Sequence, residues 1–249
     1  NPDDASQYLL AENLSWNAGT TSATAAHGNF TLDTGNTFEV TSSLADQTGN
    51  SGWDGQSLTK MGAGELILSG NNTYSGTTDI QEGTLWLAGT GTIGAVDSQQ
   101  AVNIAAGATF GGSNEAVVNG NVDNKGTLNF GDSEETNATF FINGDLTNSG
   151  TLVSGSNTYL PGNTLHVEGD YIGNEGSLYL NTELGDDSSA TDKLVVTGDT
   201  SGNTTLYIHG IGNQGAQTTT GIEVVDIGGE SNGVFKQGNQ VQAGLYEYR

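Results

Sequence analysis

Cysteine is absent from the 249 residues, and proline occurs only twice. Without cysteine there is no disulfide framework and no thiolate zinc site. Lysine and arginine together number five against 29 acidic residues, a formal charge of −24. Phosphate contacts need clustered basic side chains, so nucleic acid is excluded as a partner. Hydrophobic residues make up 33% of the chain, below the roughly 45–50% usual for a globular domain. No apolar run approaches the roughly 20 residues of a spanning helix. A thick conventional core is therefore not expected. Disorder is not expected either, because the apolar residues recur in a fixed pattern that a disordered chain does not need.

Glycine is abundant, at 39 residues, and its placement is periodic. Gly64-Glu65-Leu66-Ile67-Leu68 recurs as Gly83-Thr84-Leu85-Trp86-Leu87, Gly126-Thr127-Leu128-Asn129-Phe130 and Gly176-Ser177-Leu178-Tyr179-Leu180. Weaker copies start at Gly107 and Gly150, and the six glycines are 19, 24, 19, 24 and 26 residues apart. Each unit alternates like a short strand, placing Leu66, Leu68, Leu85, Leu87, Leu128, Phe130, Leu178 and Leu180 on one side. Ile80, Ile104, Val122, Leu146 and Ile172, just before these glycines, mark a second strand and a tight bend. The glycines suit a corner with positive φ. Hairpins would bring shorter spacing and two-residue Asn-Gly turns. Like following like every two dozen residues predicts a coil, each turn stacked in parallel on the last. Eleven or so turns, rising about 4.8 Å each, would make a rod on the order of 50 Å long.

Residues 53–88 carry a recognisable signature. Leu58-Thr59-Lys60-Met61-Gly62-Ala63-Gly64-Glu65-Leu66-Ile67-Leu68-Ser69-Gly70-Asn71-Asn72-Thr73-Tyr74-Ser75-Gly76 resembles the passenger-associated transport repeat of bacterial autotransporters. In the last third, Asp192-Lys193-Leu194-Val195-Val196-Thr197-Gly198-Asp199, Gly221-Ile222-Glu223-Val224-Val225-Asp226 and Gly244-Leu245-Tyr246-Glu247-Tyr248 look like the pertactin-like autochaperone region of such passengers. The overall pattern is most similar to adhesins of the diffuse-adherence and self-associating type. The resemblance implies an all-β, right-handed parallel β-helix with a C-terminal cap. It divides the chain into a stalk, residues 1–180 with the transport repeat at about 53–88, and a cap, residues 181–249. It implies display on the bacterial cell surface, or release from it by cleavage. Linkage to an outer-membrane β-barrel follows, with adhesion to host cells or matrix, or self-association with like passengers. The chain starts at Asn1 without Met and stops at Arg249, which predicts a piece of a longer protein. No cofactor is expected.

Candidate chemistry is sparse. Gly131-Asp132-Ser133 begins motifs of serine hydrolases, but Glu134-Glu135 follow where Gly-Ser is needed, and an oxyanion site there would face two carboxylates. His27, His166 and His209 lack metal-ligand spacing, and alternation turns the last two outward. The acidic pairs Asp3-Asp4, Glu134-Glu135 and Asp186-Asp187 sit in turn-like contexts without a calcium-loop pattern. Neither a convergent carboxylate pair nor a basic cleft for a sugar is readable, so catalysis is not expected. A β-helical carbohydrate enzyme and a passive spacer are the rival readings. The functional lead is aromatic: alternation turns Trp86, Tyr179 and Tyr207 outward, where they are candidate partner contacts. From Asp192 onward β-branched and aromatic residues are denser, which predicts the most deeply buried and stable segment there.

Overall fold

A computed structural model of the chain describes residues 7–10, 28–49, 52–132, 134–155, 160–212 and 214–249. Among the described residues there are strands and turns but no helix. One turn of the coil is three short strands. Leu58–Met61, Glu65–Leu68 and Asn71–Asn72 make one turn, and Thr78–Ile80, Thr84–Leu87 and Thr92–Ile93 make the next. Each strand pairs in parallel with its counterpart one turn later, with Lys60 beside Ile80, Leu66 beside Leu85 and Asn72 beside Ile93. The molecule is thus a three-sided parallel β-helix, coiling in the right-handed sense that parallel crossovers favour. The first and second strands of the turns stack into two faces joined through the long strand Tyr171–Glu183, and the third strands form a separate seven-stranded sheet.

That seven-stranded sheet, from Asn71–Asn72 to Val225–Ile227, fixes seven complete turns, preceded by a turn opened by Asn29–Thr31 and Thr37–Val40. Gln7–Leu10 pairs in parallel with Thr37–Val40 at one end and Val234–Gln237 with the strand Thr200–Ile211 at the other, so second-strand positions stack ten deep among the described residues, near the eleven or so expected. First strands begin at 58, 78, 100, 120, 146, 171 and 200, so later turns carry longer loops between their strands.

The interior is as the alternation predicts: Leu66, Leu68, Leu85, Leu87, Leu128, Phe130, Leu178 and Leu180 are each at most 1% exposed. Each such side chain contributes roughly 1.5–3 kcal/mol through burial. Phe110 and Phe140 meet edge to face across this core, centroids 5.7 Å apart. Ile172 breaks the series, since Leu146 pairs with Tyr171 and the tyrosine takes the interior position. The corner glycines serve two purposes rather than one. Gly83 has the expected positive φ, 65°. Gly150 does not; a Cβ there would collide with the carbonyl oxygen of Gly126 in the turn below. Close stacking of backbones, not φ, excludes a side chain at that corner.

The C-terminal end departs most from expectation. Val241–Ala243 and Tyr246–Tyr248 form an antiparallel hairpin over the last turn. Its Val241 and Ala243 form a small second core with Leu184, packed on Ile208 and Tyr248. Among the described residues beyond Thr204, only Val241 and Ala243 are buried hydrophobic residues, and Leu245 at the hairpin tip is 98% exposed. Burial is therefore greatest in the middle turns and not after Asp192. A terminal turn has a neighbour on one side only, so its β-branched residues stay half-covered whatever their density in sequence.

Candidate functional site

The outer surface of the second-strand face carries two columns. Thr37, Glu65, Thr84, Thr109, Thr127, Thr151, Ser177 and Thr205 lie in register along the first. Beside it run Glu39, Ile67, Trp86, Gly111, Asn129 and Val153, followed by Tyr179 and Tyr207. The three aromatic residues singled out from the sequence thus share one face. They do not form one cluster: Gly111, Asn129 and Val153 separate Trp86 from the tyrosines, about 19 Å at one interstrand spacing per turn.

Trp86 is half-buried, and its ring fills the space over Gly111 that a Cβ would otherwise occupy. Tyr179 and Tyr207 stack with centroids 4.7 Å apart and an interplanar angle of 11°. A Cβ at Gly238 would stand 2.6 Å from the Tyr207 ring, so the chain passes closely over its other side. Tyr179 and the passing chain at Gly238 together cover the two faces of the Tyr207 ring. Tyr179 is 41% exposed, while Trp86 and Tyr207 are half-buried. Hydrogen bonding and edge contact are the chemistry available here.

The remaining candidates are placed as follows. Ser133, His27 and Asp3-Asp4 lie outside the described residues. His166 points outward on the third face; its ring is 5.6 Å from that of Phe141, and Nε2 is 3.3 Å from Glu168 and 3.2 Å from the Thr197 hydroxyl. His209 is exposed. Glu135 accepts the Asn114 N–H at 3.0 Å, tying two turns together. Asp187 accepts the N–H groups of Thr219, Thr220 and Gly221 at 2.8, 3.1 and 2.9 Å. Those bonds, that from Gly221 foremost, hold its carboxyl below the usual carboxylate range. The loop clasp is therefore present above that range and is lost as pH falls through the lowered value.

Tyr248 completes the clasp from the hairpin side. Its hydroxyl accepts the Ala216 N–H at 3.0 Å and shares its proton between Gly185 O and Ala216 O, at 3.0 and 3.1 Å. Tyr248→Phe is expected to loosen this junction by about 1–2 kcal/mol. Amide hydrogen exchange should accelerate in residues 214–221 and stay unchanged at 120–150; equal exchange at 214–221 contradicts the assignment.

Sequence reading missed two buried ionisable residues. Lys60 alternates inward and is fully buried, its ammonium donating to Met61 O, Gly62 O and Glu82 O at 3.0, 2.7 and 3.1 Å. Burial pushes the ammonium down to about 8, with Glu82 and Glu65 opposing. Asp192 is likewise fully buried and accepts the N–H groups of Gly162, Asn163 and Asn181 at 3.1, 2.9 and 2.8 Å. Burial outweighs those donors and raises its carboxyl to about 6. A charged residue at an interior position of an alternating strand was the available signal for Lys60. Nothing local marks Asp192, whose donors come from 11 to 30 residues away.

Comparison with known proteins fits this architecture. Residues 116–249 match the family model described as Autochaperone Domain Type 1, and residues 58–87 match the passenger-associated-transport-repeat. The chain is 37% identical over 190 residues to the uncharacterized protein YuaQ of Escherichia coli, covering 76% of this chain and 12% of that protein. It is 32% identical over 231 residues to the adhesin BmaC autotransporter of Brucella suis biovar 1, covering 89% and 5%. With the autotransporter adhesin AIDA-I of Escherichia coli it shares 41% identity over 88 residues, covering 35% and 7%. The chain thus spans a small part of each of these relatives. The model match covers more than half of the chain and falls on the stacked turns and their hairpin cap, so the chain belongs to the autochaperone domain type 1 family of bacterial autotransporter passengers.

Proposed function

We infer that the chain serves as stalk and folding cap of an autotransporter adhesin displayed on the bacterial cell surface. In this reading residues 1–180, with the transport repeat at about 53–88, are the stalk, and residues 181–249 are the cap that promotes folding and secretion. The strand Tyr171–Glu183 crosses that boundary, so the division is one of role and not a break in the core. One observation carries the reading: a continuous parallel stack whose C-terminal end is closed by a hairpin. Turns in such a stack are stabilised by their neighbours, so folding starts in one unit and propagates. An open strand edge is adhesive and needs cover, which the hairpin supplies at this end.

The contact face is polar, and two relatives are named as adhesins, which supports adhesion to host cells or matrix, or self-association, as the activity. Trp86, Tyr179 and Tyr207 are the contact residues of this reading, through ring edges and hydroxyls. No catalytic role is assigned to any residue. Deleting this chain from the full-length passenger is expected to abolish cell clumping and host-cell binding; unchanged clumping and binding would make it a passive spacer. With −24 charges, like rods repel, and the Debye length falls from about 30 Å at 0.01 M salt to about 10 Å at 0.1 M. Clumping should therefore quicken with added salt. Dissolution of clumps by salt would show that ionic attraction holds them instead.

A further inference from the structure

A third column of residues, unnoticed in the sequence, runs along the corner where each turn begins. Gly144-Asp145, Gly169-Asp170, Gly198-Asp199 and Gly229-Glu230 stack one above another on Gly120-Asn121. Each Asn or Asp oxygen accepts the backbone N–H of the acidic residue one turn later. Asn121 accepts from Asp145 at 2.9 Å, Asp145 from Asp170 at 2.8 Å, Asp170 from Asp199 at 2.8 Å, and Asp199 from Glu230 at 2.7 Å. The preceding glycine is required as well. A Cβ at Gly144, Gly169, Gly198 or Gly229 would collide with the side-chain oxygen below it.

The strands themselves specify register weakly. Thr127-Leu128-Asn129 lies on Thr151-Leu152-Val153, and a slip of two residues would keep the same sides inward. At the corner such a slip is not tolerated. It would set Val167 or Tyr171 in the place of Gly169, and the Cβ would land on the Asp145 oxygen and on the Gly144 backbone. The ladder starts at Asn121, whose partner in the turn below is Ala101. An inner polar column starts in the same turn. Asn124 donates to Asn148 at 2.9 Å, Asn148 to the Tyr171 hydroxyl at 3.4 Å, and that hydroxyl meets Thr204 at 2.7 Å. Both columns lie within the matched region, residues 116–249, and neither extends to the earlier turns at 58–104.

We propose that the Gly-Asx ladder at 121, 145, 170 and 199 is the register-setting element of the autochaperone, fixing how each turn seats on its neighbour during folding. The proposal rests on the reading of this region as a folding unit. Asn121, Asp145, Asp170 and Asp199 are positioning residues, acting through an oxygen and the glycine opposite it, so asparagine should replace aspartate without loss.

The test compares folding and unfolding rates of the whole chain, by far-ultraviolet circular dichroism, for Asp145→Asn/Asp170→Asn and Asp145→Ala/Asp170→Ala. The Asn pair should refold within twofold of the parent in one phase. The Ala pair should refold at least tenfold more slowly and in several phases as misregistered stacks rearrange. Loss of a merely structural bond would leave refolding unchanged and speed unfolding alone; that result for the Ala pair overturns the proposal, as does equal slowing of both pairs. If the Ala pair does not refold, Asn121→Ala is judged by the same two criteria. The underlying reading is tested separately by pulse-labelled hydrogen exchange of the parent. Protection of 120–230 before 58–118 supports it, and the reverse order removes it whatever the variants do.

Discussion

Replacing Asp192 with Ala is expected to cost about 3–5 kcal/mol, the loss that follows when a buried acceptor is removed and several buried N–H groups lose their partner. Three N–H groups, those of Gly162, Asn163 and Asn181, converge on this carboxylate. Asn163 and Asn181 are themselves 1% and 6% exposed, so water cannot substitute. Asp192→Asn should fall between parent and Ala. One oxygen survives to serve two of the donors, but the amide nitrogen would face a third donor.

The same residue predicts an unusual pH dependence. Its folded-state pKa is raised from 3.8 to about 6, chiefly by burial. Between these values the folded chain holds a proton that the unfolded chain has released. Stability from this group therefore falls as pH rises from about 4 to about 6, by about 3 kcal/mol in all. Above pH 6 the full cost of a buried charge remains. Urea denaturation of parent and Asp192→Asn at pH 4.5 and pH 7 checks this. The gap between the two should shift in the parent's favour at the lower pH, since only the parent can take up the proton. A constant gap contradicts the assignment.

The second large effect concerns Lys60. Lys60→Ala should cost about 2–4 kcal/mol, because it leaves inward-facing carbonyls of Gly62 and Glu82 without their donor and opens a cavity inside the first complete turn. Lys60→Met, which refills the space but not the bonds, should cost less. Here the sign of the pH dependence is reversed. The ammonium is lowered from 10.5 to about 8. Between these values the folded chain has lost a proton that the unfolded chain retains, so stability rises as pH goes from about 8 to about 10.5. The parent should gain on Lys60→Met across that window in thermal or urea unfolding. Parallel curves would place the ammonium in solvent instead. The cage also gives the transport repeat a physical reason for its lysine. The side chain closes the corner between the strands Leu58–Met61 and Glu65–Leu68 and ties it to the corner of the next turn at Glu82.

Alternation and period in the sequence determined the parallel coil and most of its interior. A two-residue period assigns sides, and like units two dozen residues apart can only stack on one another when the chain has so little apolar surface to bury. Leu66, Leu85, Leu128 and Leu178 needed no further information, and neither did the outward placement of Trp86, Tyr179 and Tyr207. What the rings do once outward was not legible. That the tyrosines stack face to face depends on a match between positions 28 residues apart, and the covering of Trp86's neighbour Gly111 on another 25 residues apart. The Gly-Asx column was written in the chain as Gly120-Asn121, Gly144-Asp145, Gly169-Asp170, Gly198-Asp199 and Gly229-Glu230. It passed unread because its spacing drifts as the loops lengthen. Asp192, the carbonyls that cap the Lys60 ammonium and the half-covered last turn belong to tertiary structure alone. A carboxylate collecting donors from neighbouring turns, an ammonium capped by two corners, and a turn lacking a neighbour are each defined by what lies above or below. A one-dimensional pattern records which side a residue faces, not what the adjacent turn puts against it.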